Sequence, residues 1–374
     1  MSKATRRAPL LGALPLLVLM VGCAKDPAAD ILGNPTGGVS GNPGPGDLPP
    51  AEPRNPVADH GPLQVVGAQI VDQFGVAVQL KGASSMWLNW ESRRFAESKP
   101  ALEYARDYWK LSLIRASMGV EVQGGYLTTA GREGMQTRVE QIVQNAIDLG
   151  LYVIVDWHTE KATTQTAESA AFFTNLATKF GAYPNIIYEP YNEPNGVRWP
   201  EIKAYHEAVV AAIRAVDPDN LIILGTPSYS QDVDIATADP VVGVNLVYTL
   251  HFYSCTHKGS LRDKARLAMG RGFPVFITEF GATPADGGVV ANNMDIICGA
   301  EANSWFDFMA TNKISGAAWK LDQCTDSSCI LASTAPANGP WTDDQLSNDS
   351  MGTPVVGGVQ GGGHGQLIVN WIRQ

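Results

Sequence analysis

The stretch Ile187-Tyr188-Glu189-Pro190-Tyr191-Asn192-Glu193-Pro194 decides how this chain folds and what it can do. A short apolar run ends in a charged residue, and Pro194 then ends the strand by fixing the backbone. Burying a carboxylate is costly, so a glutamate at the tip of a buried strand needs a chemical reason. The pattern recurs in Pro274-Val275-Phe276-Ile277-Thr278-Glu279-Phe280-Gly281. Two strands, each presenting a glutamate at its C-terminal tip, point to a pair of working carboxylates, Glu193 and Glu279. Cleavage of a glycosidic bond needs such a pair: one group protonates the leaving oxygen, and the other attacks the sugar or activates water.

Working outward, strand-like runs appear at Val76–Ala83, Leu111–Met118, Tyr152–His158, Ile186–Tyr191, Leu221–Thr226, Leu246–Tyr253, Pro274–Phe280 and Ile314–Leu321. Helical patterns lie between most of them, at Arg138–Leu149, Ala167–Phe180, Pro200–Val216, Leu261–Gly270 and Ala300–Asn312. Apolar strands alternating with helices predict a parallel sheet covered by helices. This many in roughly 310 residues predicts an α/β fold of the (β/α)8 TIM barrel type, as one catalytic domain. An open doubly wound sheet lacks support, because no Gly-rich phosphate loop follows an early strand. Leu63–Val66 and Gln69–Asp72 around Gly67 predict a short N-terminal β-hairpin, and Gln366–Arg373 a closing helix after a Gly-rich loop.

In such a barrel the active site lies at the C-terminal ends of the strands. Those ends offer Ser84, Arg115, His158, Asn192 with Glu193, Thr226, His251 with Tyr253, Glu279 and Trp319. Arg115 is placed to keep a neighbouring carboxylate ionised, since an adjacent cation lowers a carboxyl pKa by about 1–3 units. Its partner carboxyl must stay protonated, which asks for a drier and less cationic place. Asp156 and Glu189 lie inside strands and are expected to satisfy buried polar contacts. Aromatics gather near the strand ends: Trp87, Trp90, Trp157, Tyr191, Trp199, Tyr229, Tyr253 and Trp319. Flat apolar rings suit the faces of sugars; Trp319 is the first candidate for a stacking platform and Trp199 the next. The histidine spacing predicts no metal site, and no Gly-x-Ser-x-Gly suggests a serine hydrolase.

The 374 residues carry a net charge of −10 with 45% hydrophobic content. That excludes a nucleic-acid binder, which needs clustered Lys and Arg, and fits a chain with a large core. Residues 1–22 read as a lipoprotein-type signal: Lys3, Arg6 and Arg7, an apolar stretch too short to span a membrane, then Met20-Val21-Gly22-Cys23. Cys23 is the expected lipidation site, and the protein is expected to be exported, anchored at the bacterial cell envelope or surface, or secreted. Residues 23–56 read as a disordered Pro/Gly-rich linker and 57–374 as the folded domain. The four remaining cysteines allow three disulfide pairings. Cys324 and Cys329 are close enough in sequence to staple one loop, which leaves Cys255 with Cys298.

Together these stretches resemble glycoside hydrolase family 5, most of all its bacterial endoglucanases, from about Gly61 to Asp322. The matching segments are Gly61-Pro62-Leu63-Gln64-Val65, Val78-Gln79-Leu80-Lys81-Gly82, Ile114-Arg115, Val155-Asp156-Trp157-His158, Tyr188–Pro194, Asp217-Pro218-Asp219-Asn220, Tyr248–Tyr253 and Phe276–Gly281. The resemblance implies a retaining endo-β-1,4-glucanase without cofactors, acting on cellulose or a related β-1,4-linked polysaccharide as a monomer. It implies Glu193 as acid/base and Glu279 as nucleophile. Arg115, His158, Asn192, His251, Tyr253 and Trp319 would surround the cleaved sugar, with Trp199 and Trp90 as further substrate contacts and a cis peptide after Trp319. The chain departs from many relatives at Met86-Trp87, at Gly119 and at Asp322-Gln323-Cys324, all near the glycone-side subsites. A β-mannanase or mixed-linkage glucanase is the alternative reading; a glycan-binding or transglycosylating surface protein is a more distant one.

Overall fold

The computed structural model describes residues 51–91, 93–285, 297–323, 327–347 and 363–374, together with the backbone of 355–356. Asn55 starts the fold. Its side chain accepts from the Ala58 amide at 2.9 Å and caps α1, Pro56–His60. Gly150, in the left-handed region at φ 66°, closes a helix nearby; a Cβ there would stand 2.0 Å from Asn55 Oδ1. The entry of the chain is thus packed against a turn that only glycine fits.

Strands β1 (Gln64–Val66) and β2 (Gln69–Val71) form the expected antiparallel hairpin. Eight parallel strands then close a barrel: β3 (Lys81–Ser85), β4 (Leu113–Gly119), β5 (Tyr152–His158), β6 (Ile186–Glu189), β7 (Ile222–Leu224), β8 (Leu246–Tyr253), β9 (Val275–Gly281) and β11 (Gly316–Leu321). Helices follow the strands in turn: α2 (Lys99–Tyr104), α3 (Arg132–Leu149), α4 (Thr166–Phe180), α5 (Trp199–Arg214), the short turns α6 (Pro227–Ser230) and α7 (Val233–Ala236), α8 (Gly259–Gly270), α9 (Gly299–Asn312) and α10 (His364–Arg373). The small strands β10 (Ile297–Cys298) and β12 (Val355–Val356) pair outside the barrel. In α3, Met135, Val139, Ile142, Val143, Ala146 and Leu149 are buried, one helical stripe turned toward the strands.

The first barrel strand lies later than the expected Val76–Ala83. Val76–Leu80 alternates because it crosses the barrel floor beside β2: Val78 donates its amide to Ile70, and Val78 and Leu80 join Leu63 and Ile70 in the interior cluster. Apolar side chains fill the lower barrel, among them Leu113, Tyr152, Ile154, Ile187, Ile223, Val247 and Phe276. Above them the inward positions turn polar. That change of lining, from floor to mouth, places the site.

One local irregularity matters for chemistry. Thr249 pairs with Phe276, but His251 pairs with Glu279, so β9 uses three residues where β8 uses two. The neighbour on the other side shows the same step, Gly316 with Ile277 and Ala318 with Phe280. This is a β-bulge, which re-aims side chains. Phe276 faces the interior, while Ile277 and Phe280 face the helices. Strict alternation would turn Glu279 outward with Ile277; the extra residue lets both Thr278 and Glu279 enter the mouth.

Candidate active site

Arg115, from β4, is wholly buried and is the hub of the mouth. Its Nε donates to Glu189 Oε2 at 2.7 Å, its Nη2 to Asn192 Oδ1 at 2.7 Å and its Nη1 to Glu279 Oε2 at 3.2 Å. Nη2 also pairs with Asp156 Oδ2 at 2.9 Å. Burial opposes the guanidinium charge, but Asp156, Glu189 and Glu279 outweigh it and hold the pKa above its usual value. One cation cannot keep three buried carboxylates ionised. Burial accordingly pushes Asp156 up to about 8, against Arg115, and raises Glu189 as well. Arg115 therefore lies beneath the cleft rather than on its wall. The expectation that it touches substrate is corrected: its charge is consumed by side chains of the fold.

Glu279 uses both oxygens as acceptors, Oε2 from Arg115 and Oε1 from the Tyr253 hydroxyl at 2.7 Å. Both oxygens thus face donors, the pattern that an acceptor-only carboxylate meets. Burial, then Glu279 and Glu193, hold the Tyr253 hydroxyl well above its ordinary pKa, so it remains a donor.

Glu193 stands in the opposite environment. Thr278 donates its hydroxyl to Glu189 Oε1 at 2.6 Å, so its oxygen accepts from His251 Nε2, 2.8 Å away. His251 is buried and its pKa is lowered to about 4, so the ring is neutral with its proton on Nε2. Its Nδ1 then offers a lone pair to Glu193 Oε1 at 2.9 Å. Only a protonated carboxyl can satisfy that contact. Independently, burial pushes Glu193 up to about 8, with Arg115 opposing and Glu160 adding to the rise. The chain Arg115, Glu189, Thr278, His251, Glu193 thus keeps one carboxyl protonated within reach of an ionised partner.

His158, neutral with its pKa lowered to about 3 by burial and by Arg115, sits 2.5 Å from Asp156 Oδ2 and faces the Asn192 amide at 3.5 Å. Its ring stacks on Trp319 at 5.6 Å and meets the edge of Trp87 at 4.3 Å; Trp87 stacks on Trp90, which is 50% exposed. The peptide after Trp319 is cis. A cavity of about 370 Å³ opens beside the carboxyls, lined by Glu160, Glu193, Tyr229, Gln231, His251, Tyr253, His257 and Ala285.

Other aromatics lie elsewhere. Trp199 is buried at the start of α5, donates Nε1 to the Asp239 carbonyl at 2.8 Å and packs on Tyr248. It is a core residue, not a sugar platform, because the Pro194–Arg198 loop turns back to begin the helix. Trp157 points out of the barrel onto Phe172 and Phe173. Tyr191 also points outward, against Tyr205. Alternation along β5 settles this: Asp156 and His158 face in, so Trp157 between them faces out.

His364 was not expected here. It is buried at the first turn of α10, with Nε2 at 2.7 Å from the Trp319 carbonyl and Nδ1 at 3.3 Å from the Ala282 amide. It thereby ties the ends of β9 and β11 to the C-terminal helix. No spacing rule marks it; only its place as a polar residue opening an apolar helix sets it apart. At Gly119 a Cβ would meet Asn89 Oδ1 at 2.0 Å and the Trp87 ring at 3.1 Å. Trp87 and Asn89 therefore take up the space that a side chain at 119 would need.

Glu193, His251 and Glu279 offer ligand atoms within 4.8 Å of one another, a spacing that admits a metal ion. Both nitrogens of His251 already face Glu193 and Thr278, and Glu279 is held by Arg115 and Tyr253, so hydrogen bonds account for the cluster. Cys255 and Cys298 form a disulfide, fastening the loop after β8 to the start of α9. Cys329 is also disulfide-bonded, while Cys324, like Cys23, lies outside the described residues.

A barrel with two unlike carboxyls at its mouth defines a class, glycoside hydrolases. The family model for cellulase, glycosyl hydrolase family 5, matches residues 71–325, and the chain belongs to that family. It is similar to an endoglucanase of Clostridium saccharobutylicum, 40% identical over 296 residues, covering 78% of this chain and 64% of the relative. Endoglucanase Z of Dickeya dadantii is 44% identical over 264 residues, covering 70% and 60%. The chain thus spans less than two thirds of the length of these relatives. Among solved structures, the catalytic domain of Thermobifida fusca endoglucanase Cel5A superposes with a TM-score of 0.75 at 31% identity, covering 86% of this chain and all of that one. A variant of the same domain was solved in complex with cellotetraose, with a TM-score of 0.74.

Proposed function

We propose that this chain is an endo-β-1,4-glucanase that cuts internal glucosidic bonds with retention of configuration. The observation that carries the reading is the opposed state of the two carboxyls, Glu279 hydrogen-bonded as an anion and Glu193 held as an acid. Glu279 attacks the anomeric carbon as the glycosidic bond breaks, and Glu193 gives its proton to the leaving oxygen. A covalent glycosyl-enzyme results. Glu193, now a carboxylate, takes a proton from water as that water attacks the same carbon and Glu279 leaves. Ligand oxygens of the pair lie within 4.8 Å. That supports retention, which uses carboxyls about 5–5.5 Å apart, over inversion, which needs about 6.5–9.5 Å to admit a water. Asn192 and the stacked His158–Trp319 pair are placed to hold the sugar, and Trp87 with Trp90 to extend the platform.

The test is product analysis on carboxymethylcellulose, glucomannan, mannan, mixed-linkage glucan and xylan, with the anomer followed by NMR. Rapid loss of viscosity with β-anomer first is expected on carboxymethylcellulose. Activity confined to mannan or to mixed-linkage glucan would keep the mechanism and replace the substrate.

Because Glu193 must be protonated for the first step, kcat/KM should fall as pH rises through about 8. Glu193→Gln should lose about 10²–10⁴-fold in rate on cellulose and lose that alkaline limb on substrates with acidic leaving groups. Its folded pKa is raised, so the folded state keeps a proton that the unfolded state releases; this carboxyl therefore destabilises the fold increasingly from about pH 4.5 to about 8. Thermal melting should accordingly show Glu193→Gln more stable than the parent at pH 8 and equal to it at pH 4. An unchanged pH limb would remove Glu193 from the acid role.

We further propose export and lipid anchoring through Cys23, in keeping with cysteines paired in an oxidising compartment. Cys23→Ala is expected to move the protein from the membrane fraction to the soluble one in a bacterial host; retention on the membrane would refute the anchor.

A further inference from the structure

A second pocket of about 290 Å³ opens at the floor of the barrel, the end away from the carboxyls. Its lining includes Arg54, Lys81, Lys110 and Lys313, with His60 at one side, and no Asp or Glu side chain. In a chain of net charge −10, four basic side chains in one concavity without an Asp or Glu in its lining are an exception to the surrounding field.

The hydrogen bonds of Lys81 and Lys110 go to neutral groups, and Arg54 has an acidic neighbour outside the lining, Asp107, whose Oδ1 accepts the Arg54 amide at 3.1 Å and whose pKa falls, against burial, through Arg106 and partly through Arg54. Lys81 Nζ donates to the Trp371 carbonyl at 3.2 Å and Lys110 Nζ to the Arg373 carbonyl at 2.8 Å. Arg54 Nη1 is buried without a hydrogen-bond partner. His60 is held by Asp72 at 3.4 Å. Burial, then Lys313 and Lys110, lower the pKa of Lys81, the mark of like charges left facing one another. Lys110 and Lys313 each end a helical segment in the left-handed region, at φ 66° and 55°, where glycine or asparagine is the easier cap. A helix C-terminus favours a cation, which accounts for the sign of those two. It does not account for Lys81, on a strand, or Arg54, on the entering chain, converging on the same space.

We infer that this pocket binds a phosphate-type oxyanion, held by Arg54, Lys81, Lys110 and Lys313. Lysines bind phosphate as point charges, and the arginine adds directed N–H donors. The anion comes either free in solution or on a phospholipid headgroup.

The test uses the full chain and a Lys81→Gln/Lys313→Gln variant, with Lys110→Gln as a second in case the first folds poorly. None of these residues approaches the carboxyls, so hydrolysis should stay within about twofold. Inorganic phosphate at 10–20 mM (about the concentration that saturates a millimolar site) should raise Tm by about 2 °C or more over sodium chloride of equal ionic strength, and the variants should lose that shift. Co-sedimentation with phosphatidylglycerol and phosphatidylcholine vesicles then separates the sources. Stronger binding of the parent than the variant to phosphatidylglycerol alone assigns a headgroup, and equal binding assigns a soluble anion. A phosphate shift no larger than that of chloride, or one that survives in the variants, overturns the proposal.

Discussion

Glu279→Gln is expected to lower kcat on carboxymethylcellulose by on the order of 10⁴-fold or more, with little change in KM. The amide can keep the geometry, accepting from Arg115 through its oxygen and donating to the Tyr253 oxygen, so the fold should survive. What is lost is the electron pair that bonds to the anomeric carbon. One negative charge fewer beside Arg115 also relieves Asp156, whose pKa Glu279 helps to raise. Reducing-sugar release measures the first effect and circular dichroism the second condition, an intact fold. Glu279→Ala with added azide sharpens the test: azide should restore turnover and yield a glycosyl azide of inverted configuration. A variant that keeps even a tenth of the parental rate would place the nucleophile elsewhere.

The second large effect is expected at Arg115. Replacing it with Met leaves Asp156, Glu189 and Glu279 around a neutral side chain, and removing one partner of a buried ion pair costs about 3–5 kcal/mol. The carboxyls would take up protons to limit that cost. The pKa values of Asp156 and Glu189, already raised by burial, rise further without Arg115, so the deficit should be small near pH 4 and grow as pH climbs. Urea unfolding at pH 4.5 and 8 measures this directly. Activity at neutral pH should fall at least about 10²-fold even where the variant is folded, because Glu279 loses the Arg115 donor that holds its attacking carboxyl in place. A deficit independent of pH would mean that Arg115 acts by packing alone.

Much of this is legible in the sequence. Strands that carry glutamate at their tips are recognisable because a buried charge interrupts an apolar run, and the barrel follows from strands alternating with helices. The strand ends were also a sound guide to which groups meet: Arg115, His158, Asn192, Glu193, His251, Tyr253, Glu279 and Trp319 all come to one mouth. The guide failed where it ignored which way a side chain points. Trp157 and Tyr191 share strand tips with His158 and Asn192 yet face the helices, and Trp199 belongs to the helix that the loop begins. The path of Val76–Leu80 was misread because pairing with a hairpin gives the same alternation as a barrel strand. His364 could not be found, since it acts through a contact between residues far apart in sequence. Nor could the tautomer of His251, which depends on Thr278 and Glu189 donating and accepting in a fixed order.

The bulge in β9 means that chemistry here hangs on a length, not only on a residue. Removing Thr278 would leave Phe276 facing in, Ile277 out, Glu279 in and Phe280 out, so every remaining side chain keeps its side and the barrel can close. The attacking carboxyl would stay in the mouth. What would go is the hydroxyl between Glu189 and His251, and with it the fixed tautomer behind Glu193. The extra residue therefore seats two polar neighbours where a regular strand has room for one, the attacker and the relay that serves the acid. One codon fewer would leave an enzyme armed on one side only, quick on a sugar that carries its own good leaving group and slow on one that does not.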